Sequence, residues 1–186
     1  MKSLTVKELM VPLSEYATVS EGSTLFDAVQ ALEKAQEEFD HTKYRHRAVL
    51  ILDKNGRVVG KLTQMDVLWA LEPKSRDHKD LDKMIRFGFS NTFVRSLRKE
   101  RRLHGEPLRD LCIKAAKLKV EDFMQAPAEG EYVDEKTSLD MAIHQLLLGN
   151  HLSLLVTRGK EIVGILRQTD VFAAVFHTMK ECESNL

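Results

Sequence analysis

Three short blocks of this chain occur twice in the same order, and that internal repeat limits the fold more than any other feature. VKELMVP at 6–12 matches VEDFMQAP at 120–127, which sets Met10 on Met124, 114 positions further on. TLFDAVQAL at 24–32 matches SLDMAIHQL at 138–146 with the same offset, through Leu25/Leu139 and Ala28/Ala142. VVGKLTQMDV at 58–67 matches IVGILRQTDV at 162–171, now offset by 104, so copy one is expected to carry ten additional residues within 37–47.

Both copies predict turn, short strand, helix, hairpin, helix. Thr5-Val6-Lys7-Glu8 has the form of a capping box, which starts a short helical turn. Leu25, Ala28, Val29, Leu32, Ala35 and Phe39 share one helical face. In copy two the corresponding helix is expected to stop at Gly149-Asn150, residues that tolerate a left-handed conformation. AVLIL at 48–52 is too short for a helix and rich in strand formers. Asp53-Lys54-Asn55-Gly56 supplies a turn, and the strand returns through Arg57 to Thr63. A last helix is expected over Gln64 to Leu71, with its counterpart from Gln168 to about Lys180.

Between the copies lies an unmatched stretch, Pro73 to Lys119, with 14 Lys/Arg against 6 Asp/Glu. Its net charge of +8 leaves −8 on the rest of a neutral chain. Pro107 stands where a helix would begin, ahead of an apolar stripe of Leu108, Leu111, Ala115 and Leu118. Asn91 or Thr92 would cap another helix. The segment is read as a helical insertion with a basic face, densest in RSLRKERR at 95–102, where Arg98, Lys99, Arg101 and Arg102 are expected to face solvent. Three parts follow: repeat one at 1–72, the insertion at 73–119, and repeat two with a C-terminal tail at 120–186.

The residue content narrows the function classes. Cys112 and Cys182 are too few and too distant for a disulfide framework or a cysteine-based zinc site. Asp40, His41 and His46 lack same-face helical spacing, so no metal is expected. No phosphate-binding glycine loop, nucleophile elbow or HExxH helix occurs. MKSLTVKELM has no signal-peptide core, and the uncharged run Met141–Thr157 is broken by polar residues, so neither export nor a membrane span is expected.

The order Val-x-x-h-Met, Leu-x-x-Ala, Asp-x-x-Gly and Val-Val-Gly-x-Leu-Thr-x-x-Asp resembles the CBS domain, here as a tandem pair over about 1–72 and 120–181. Copy two departs at its hairpin, where Thr157-Arg158-Gly159 replaces the Asp-x-x-Gly form. The resemblance implies an α+β fold: two repeats, each a three-stranded sheet with two helices, related by a pseudo-twofold axis. It implies a non-enzymatic regulatory module, needing no cofactor, that binds an adenosine-containing ligand such as AMP, ATP or S-adenosylmethionine between the repeats; with no export signal expected, the location is expected to be cytoplasmic. An unknown regulated protein would be its partner. It further implies a homodimer through the helices flanking the cleft, with Val67, Leu68, Val171, Phe172 and Val175 as candidate faces or, equally, as each copy's own core.

Carried over by position, Gly60, Thr63 and Asp66 of copy one match the family's Gly-h-h-Thr/Ser-x-x-Asp pattern. Copy two supplies Gly164 and Asp170, but Arg167 stands where Thr or Ser is expected; it would either contact phosphate or close the site. A carboxylate can accept from both ribose hydroxyls, and a helix N-terminus favours nearby phosphate. Thr63-x-x-Asp66 also fits a capping box that needs no ligand. His46, Arg47 and His151 precede the buried strands, as phosphate contacts or as solvated strand ends. Two other functions stay open: a degenerate scaffold or oligomerisation module without ligand, and a nucleic-acid-binding regulator using the basic insertion.

Overall fold

A computed structural model of the chain describes residues 4–38, 44–71 and 107–183. Copy one runs through helix α1 (Val6–Leu9), strand β1 (Val11–Pro12), β2 (Thr18–Ser20), α2 (Leu25–Glu38), β3 (Ala48–Leu52), β4 (Val58–Thr63) and α3 (Gln64–Ala70). After α4 (Leu108–Ala116), copy two supplies β5 (Tyr132–Asp134), α5 (Leu139–Gly149), β6 (Ser153–Arg158), β7 (Glu161–Arg167) and α6 (Gln168–Glu183). The expected order of elements is present in both copies. Most of the insertion, including RSLRKERR, and likewise Phe39, Asp40 and His41, lies outside the described residues. The helix expected behind Pro107 is α4, with Pro107 at its N-cap.

Local chemistry sets the element ends as the sequence suggests. Thr5 and Glu8 form the capping box of α1. Asn150 closes α5 at φ 50°, in the left-handed region where asparagine is tolerated. In the β3–β4 turn the Asp53 carboxylate accepts from the backbone N–H groups of Asn55 and Arg57 at 2.8 and 2.9 Å.

Strands β2, β3 and β4 form one sheet, with β2 parallel and β4 antiparallel to β3; β5, β6 and β7 repeat that arrangement. The second sheet has a fourth strand that the sequence did not predict, because β1 pairs with β7 through Val11/Ile165 and Pro12/Gly164. Register also corrects the accounting of the repeat. Leu50 and Leu155, 105 apart, take equivalent places opposite Thr18 and Tyr132. Lys61 and Ile165, 104 apart, are then equivalent opposite Leu50 and Leu155. Copy one therefore carries nine extra residues before β3 and one in its hairpin, rather than all ten before the strand.

The leading turn of each copy docks on the other copy. Val6 N–H donates to Thr137 O and Leu139 N–H to Leu4 O, both at 2.9 Å. The same exchange recurs one repeat along, from Val120 to Ser23 at 3.1 Å and from Leu25 to Leu118 at 2.9 Å. Such reciprocity is what a twofold relation between the copies requires. Val6 completes a core of Val133, Ala142, Leu154, Val156 and Leu166, whereas Val120 completes one of Ala28, Leu32, Val49, Ile51 and Leu62. A third apolar layer, Val11, Tyr16, Leu50, Leu155 and Ile165, joins the two sheets face to face. β3 is buried along nearly its whole length because α2 covers one face and copy two the other, which explains the unbroken apolar run AVLIL.

Candidate functional site

Successive residues of a strand point to opposite faces. In β4, Leu62 enters the core beneath the helices, so Lys61 and Thr63 face the other repeat, where Leu50 opposite Lys61 joins the inter-repeat layer. β4 then runs straight into α3, which places Asp66 at the mouth of that inter-repeat cleft. The equivalent path in copy two brings Arg167 and Asp170 to a second cleft.

In the first cleft Thr63 N–H and Oγ1–H donate to Asp66 Oδ2 at 2.7 and 2.6 Å, and Asp66 N–H donates to Thr63 Oγ1 at 3.2 Å. This is the capping box. Thr24 and Asp27 make the same set of bonds at the start of α2, at the exposed surface. The motif alone therefore distinguishes no ligand site. What sets Asp66 apart is its burial, at 7% exposure, and a second partner: Gln125 Nε2 donates to Oδ1 at 2.8 Å. Gln125 arrives on the segment that leads into copy two, held by paired backbone bonds with Lys61 at 2.9 and 3.0 Å. On the same face of β4, Lys61 reaches Glu131 at 3.2 Å, and His151 Nδ1 lies 3.7 Å from the same carboxylate oxygen.

The second cleft holds Asp170 differently. Arg167 grips it with two parallel bonds, Nε to Oδ2 and an η-nitrogen to Oδ1, each 2.6 Å. The other η-nitrogen donates to Tyr44 O at 2.7 Å and sits 3.2 Å from His46 Nδ1, across the boundary between the copies. Arg167 is 5% exposed and His46 fully buried, so His46 is not a solvated strand end. The Tyr16 ring meets His46 edge-on, 4.6 Å between centroids. Burial, reinforced by the Arg167 charge, pushes the His46 imidazole down to about 4. Burial raises the Tyr16 hydroxyl to about 12, with Arg167 working against it. Arg47 is exposed, and its carbonyl accepts from Gln64 N–H at 3.0 Å.

Gly60 and Gly164 stand where the leading segments cross. A Cβ on Gly60 would lie 2.4 Å from Met124 Sδ, and one on Gly164 would lie 2.5 Å from Val11 O. Their lack of a side chain is explained by this crossing. Sequence reasoning singled out Thr63, Asp66, Arg167, Asp170, His46 and His151, but missed Gln125, Lys61, Glu131, Tyr16 and Tyr44. A signal did exist for two of them: Gln125 and Lys61 are polar where the other copy has Val11 and Ile165.

Among the described residues no cluster of three or more His, Cys, Asp or Glu could hold a metal, and no helix is long and apolar enough to cross a membrane. A family model described as the CBS domain matches residues 6–73 and 120–177, about two thirds of the chain. No curated protein sequence matches it. Solved structures with the same fold include the CBS-pair protein CBSX2 of Arabidopsis thaliana, at 20% identity and TM-score 0.59, over 96% of this chain and 99% of that one. A CBSX2 structure in complex with AMP matches at 20% identity and TM-score 0.56, over 94% and 98% of the two chains. A CBS-domain-containing protein of Agrobacterium tumefaciens matches at 16% identity and TM-score 0.56, over 91% and 92%. At these identities the likeness is one of fold.

Proposed function

The chain belongs to the CBS-domain family as a tandem pair of repeats, and on that premise we propose that it is a non-enzymatic regulatory module binding an adenosine-containing small molecule between the repeats. Binding is passed on to a partner protein. The observation that carries this reading is the state of Asp66. It is a buried carboxylate at a helix N-terminus, one oxygen used by its own cap and the other held by a single neutral amide from the opposite repeat. A carboxylate has lone pairs for about four hydrogen bonds, so capping and ligand binding are compatible uses of Asp66. Ribose hydroxyls replacing the Gln125 amide exchange one neutral donor for another. Lys61, paired with Glu131, supplies a cation on the same side of the cleft for a phosphate or a carboxylate, with the His151 ring beside the same carboxylate. The AMP seen in a CBSX2 structure makes AMP the first ligand to try, ahead of ATP and S-adenosylmethionine.

Thermal-shift screening against these ligands, followed by calorimetry, tests the proposal, since a ligand that binds only the folded state raises stability by mass action. AMP is expected to raise the melting temperature of the wild type and to leave Asp66→Asn nearly unmoved. A wild type that no adenosine-containing ligand stabilises would leave a ligand-free assembly module as the better reading, one that the Arg167–Asp170 pair already favours for the second cleft.

A further inference from the structure

The twofold relation makes the two clefts comparable residue by residue. The sheet registers equate Tyr16 with Gly130, His46 with His151, Thr63 with Arg167 and Asp66 with Asp170. Around Asp66 the positions therefore hold Gly130, His151 and Thr63. Around Asp170 they hold Tyr16, His46 and Arg167, at 6%, 0% and 5% exposure. Where Tyr16 lays its ring against His46, the other cleft has no side chain at all. A Cβ on Gly130 would already come within 3.5 Å of His151 Nε2.

We propose that Arg167 is a built-in occupant of the Asp170 cleft, which with Tyr16 limits the module to one adenosine-containing ligand per chain. The guanidinium lies across both carboxylate oxygens in a bidentate, charge-assisted pair where ribose would have to sit, and it reaches Tyr44 O and the vicinity of His46 on the opposite repeat. A ligand entering there would have to break two short charge-assisted bonds, which neutral ribose hydroxyls replace only with weaker ones. Entering the Asp66 cleft only displaces the Gln125 amide. Arg167 thus pins one edge of the pair permanently, and only the edge at Asp66 is left to respond to ligand.

The single-site count rests on the proposed binding at Asp66; closure of the Asp170 cleft does not. Calorimetric titration with AMP of the wild type, Asp66→Asn, Arg167→Thr and the double variant separates the two. The wild type is expected to bind one AMP per chain and Arg167→Thr two. Asp66→Asn should lose at least about tenfold in affinity, and the double variant should regain one site. A wild type binding none, with Arg167→Thr binding one, would overturn the Asp66 reading but keep the inference. Two sites in the wild type, or Asp66→Asn binding as tightly as the wild type, would overturn the inference, with Arg167 then a phosphate ligand. So would an Arg167→Thr protein that gains no site. Because that variant leaves the half-buried Asp170 without its cation, urea melts accompany it. If it does not fold, Arg167→Gln, which keeps a hydrogen-bonding plane on Asp170 without the charge, carries the same expectation.

Discussion

Asp66 and Asp170 occupy equivalent places at the starts of α3 and α6, yet one is held by a hydroxyl and an amide and the other by a guanidinium. Losing them should therefore have different consequences. Asp66→Ala should weaken AMP binding by about 1.5–3 kcal/mol, the range for a hydrogen bond to a charged group, as read by calorimetry. Thr63→Ala should cost about 0.5–2 kcal/mol in urea melts, the range for a lost N-cap. His46 adds a pH dependence. Its folded value of about 4 lies below the ordinary 6.5, so the unfolded chain takes up the proton first as pH falls. Stability is complete above pH 6.5 and declines toward pH 4; at pH 5 the loss from this group amounts to about 2 kcal/mol. Among the described residues, Arg167, Asp170, Tyr16 and the Glu15 backbone act on it. Urea midpoints across this window should slope more steeply for the wild type than for His46→Gln.

At the scale of elements, the crossing of leading segments over the hairpin strands explains why each β4/β7 strand carries a glycine. The two crossings are not equally strict. A methyl on Gly164 would strike the Val11 carbonyl, fixed by the β1–β7 ladder, whereas one on Gly60 would strike the flexible thioether of Met124. Gly164→Ala should cost about 1–3 kcal/mol, the range for overpacking, and Gly60→Ala clearly less, because methionine can change rotamer. Equal losses in denaturant melts would contradict this ordering. The hairpins differ in the same quiet way: copy one holds a residue more, accommodated by Asp53 bonding and by Gly56 at φ 76°. Length changes at exposed turns leave the paired strands in register, so the repeat survives them.

Taken as a whole, the molecule is two bodies that each lack a piece until the other provides it. Val6, fully buried in copy two's core, is encoded in copy one; Val120, equally buried, fills the reverse role. Val6→Ala should cost roughly 2–3 kcal/mol, the scale of burying one valine side chain together with the cavity left behind, and it should lower both repeats together in a single transition. Two separated transitions would show that the exchange does not couple them. The helices outside the clefts bear on assembly. Val67, Val171 and Val175 belong to their own copies' cores, whereas Leu68 and Phe172, equivalent by the repeat, are 57% and 63% exposed. The expected homodimer would use these two positions. Sedimentation should show a dimer at micromolar concentration that Leu68→Ser with Phe172→Ser converts to monomer; a monomeric wild type would remove the dimer.

Repetition, patterning and turn chemistry were sufficient to reveal two α+β repeats, because spacing of apolar residues and capping side chains act over a few positions and are written into the sequence. Thr5–Glu8, Asn150, Asp53–Gly56 and the Thr63–Asp66 cap all took the local form their residue types dictate. The polar positions Thr63, Asp66, Arg167 and Asp170 were legible for the same reason, as departures or matches within an aligned motif. Only the tertiary structure decided which copy each leading turn completes, since both copies present nearly the same apolar sockets to Val6 and Val120. It also decided who holds the two carboxylates. Gln125 reaches Asp66 across 59 positions, and His46 approaches Arg167 across 121. Contacts at such separations follow from how the sheets pack, and no local pattern of side chains encodes them.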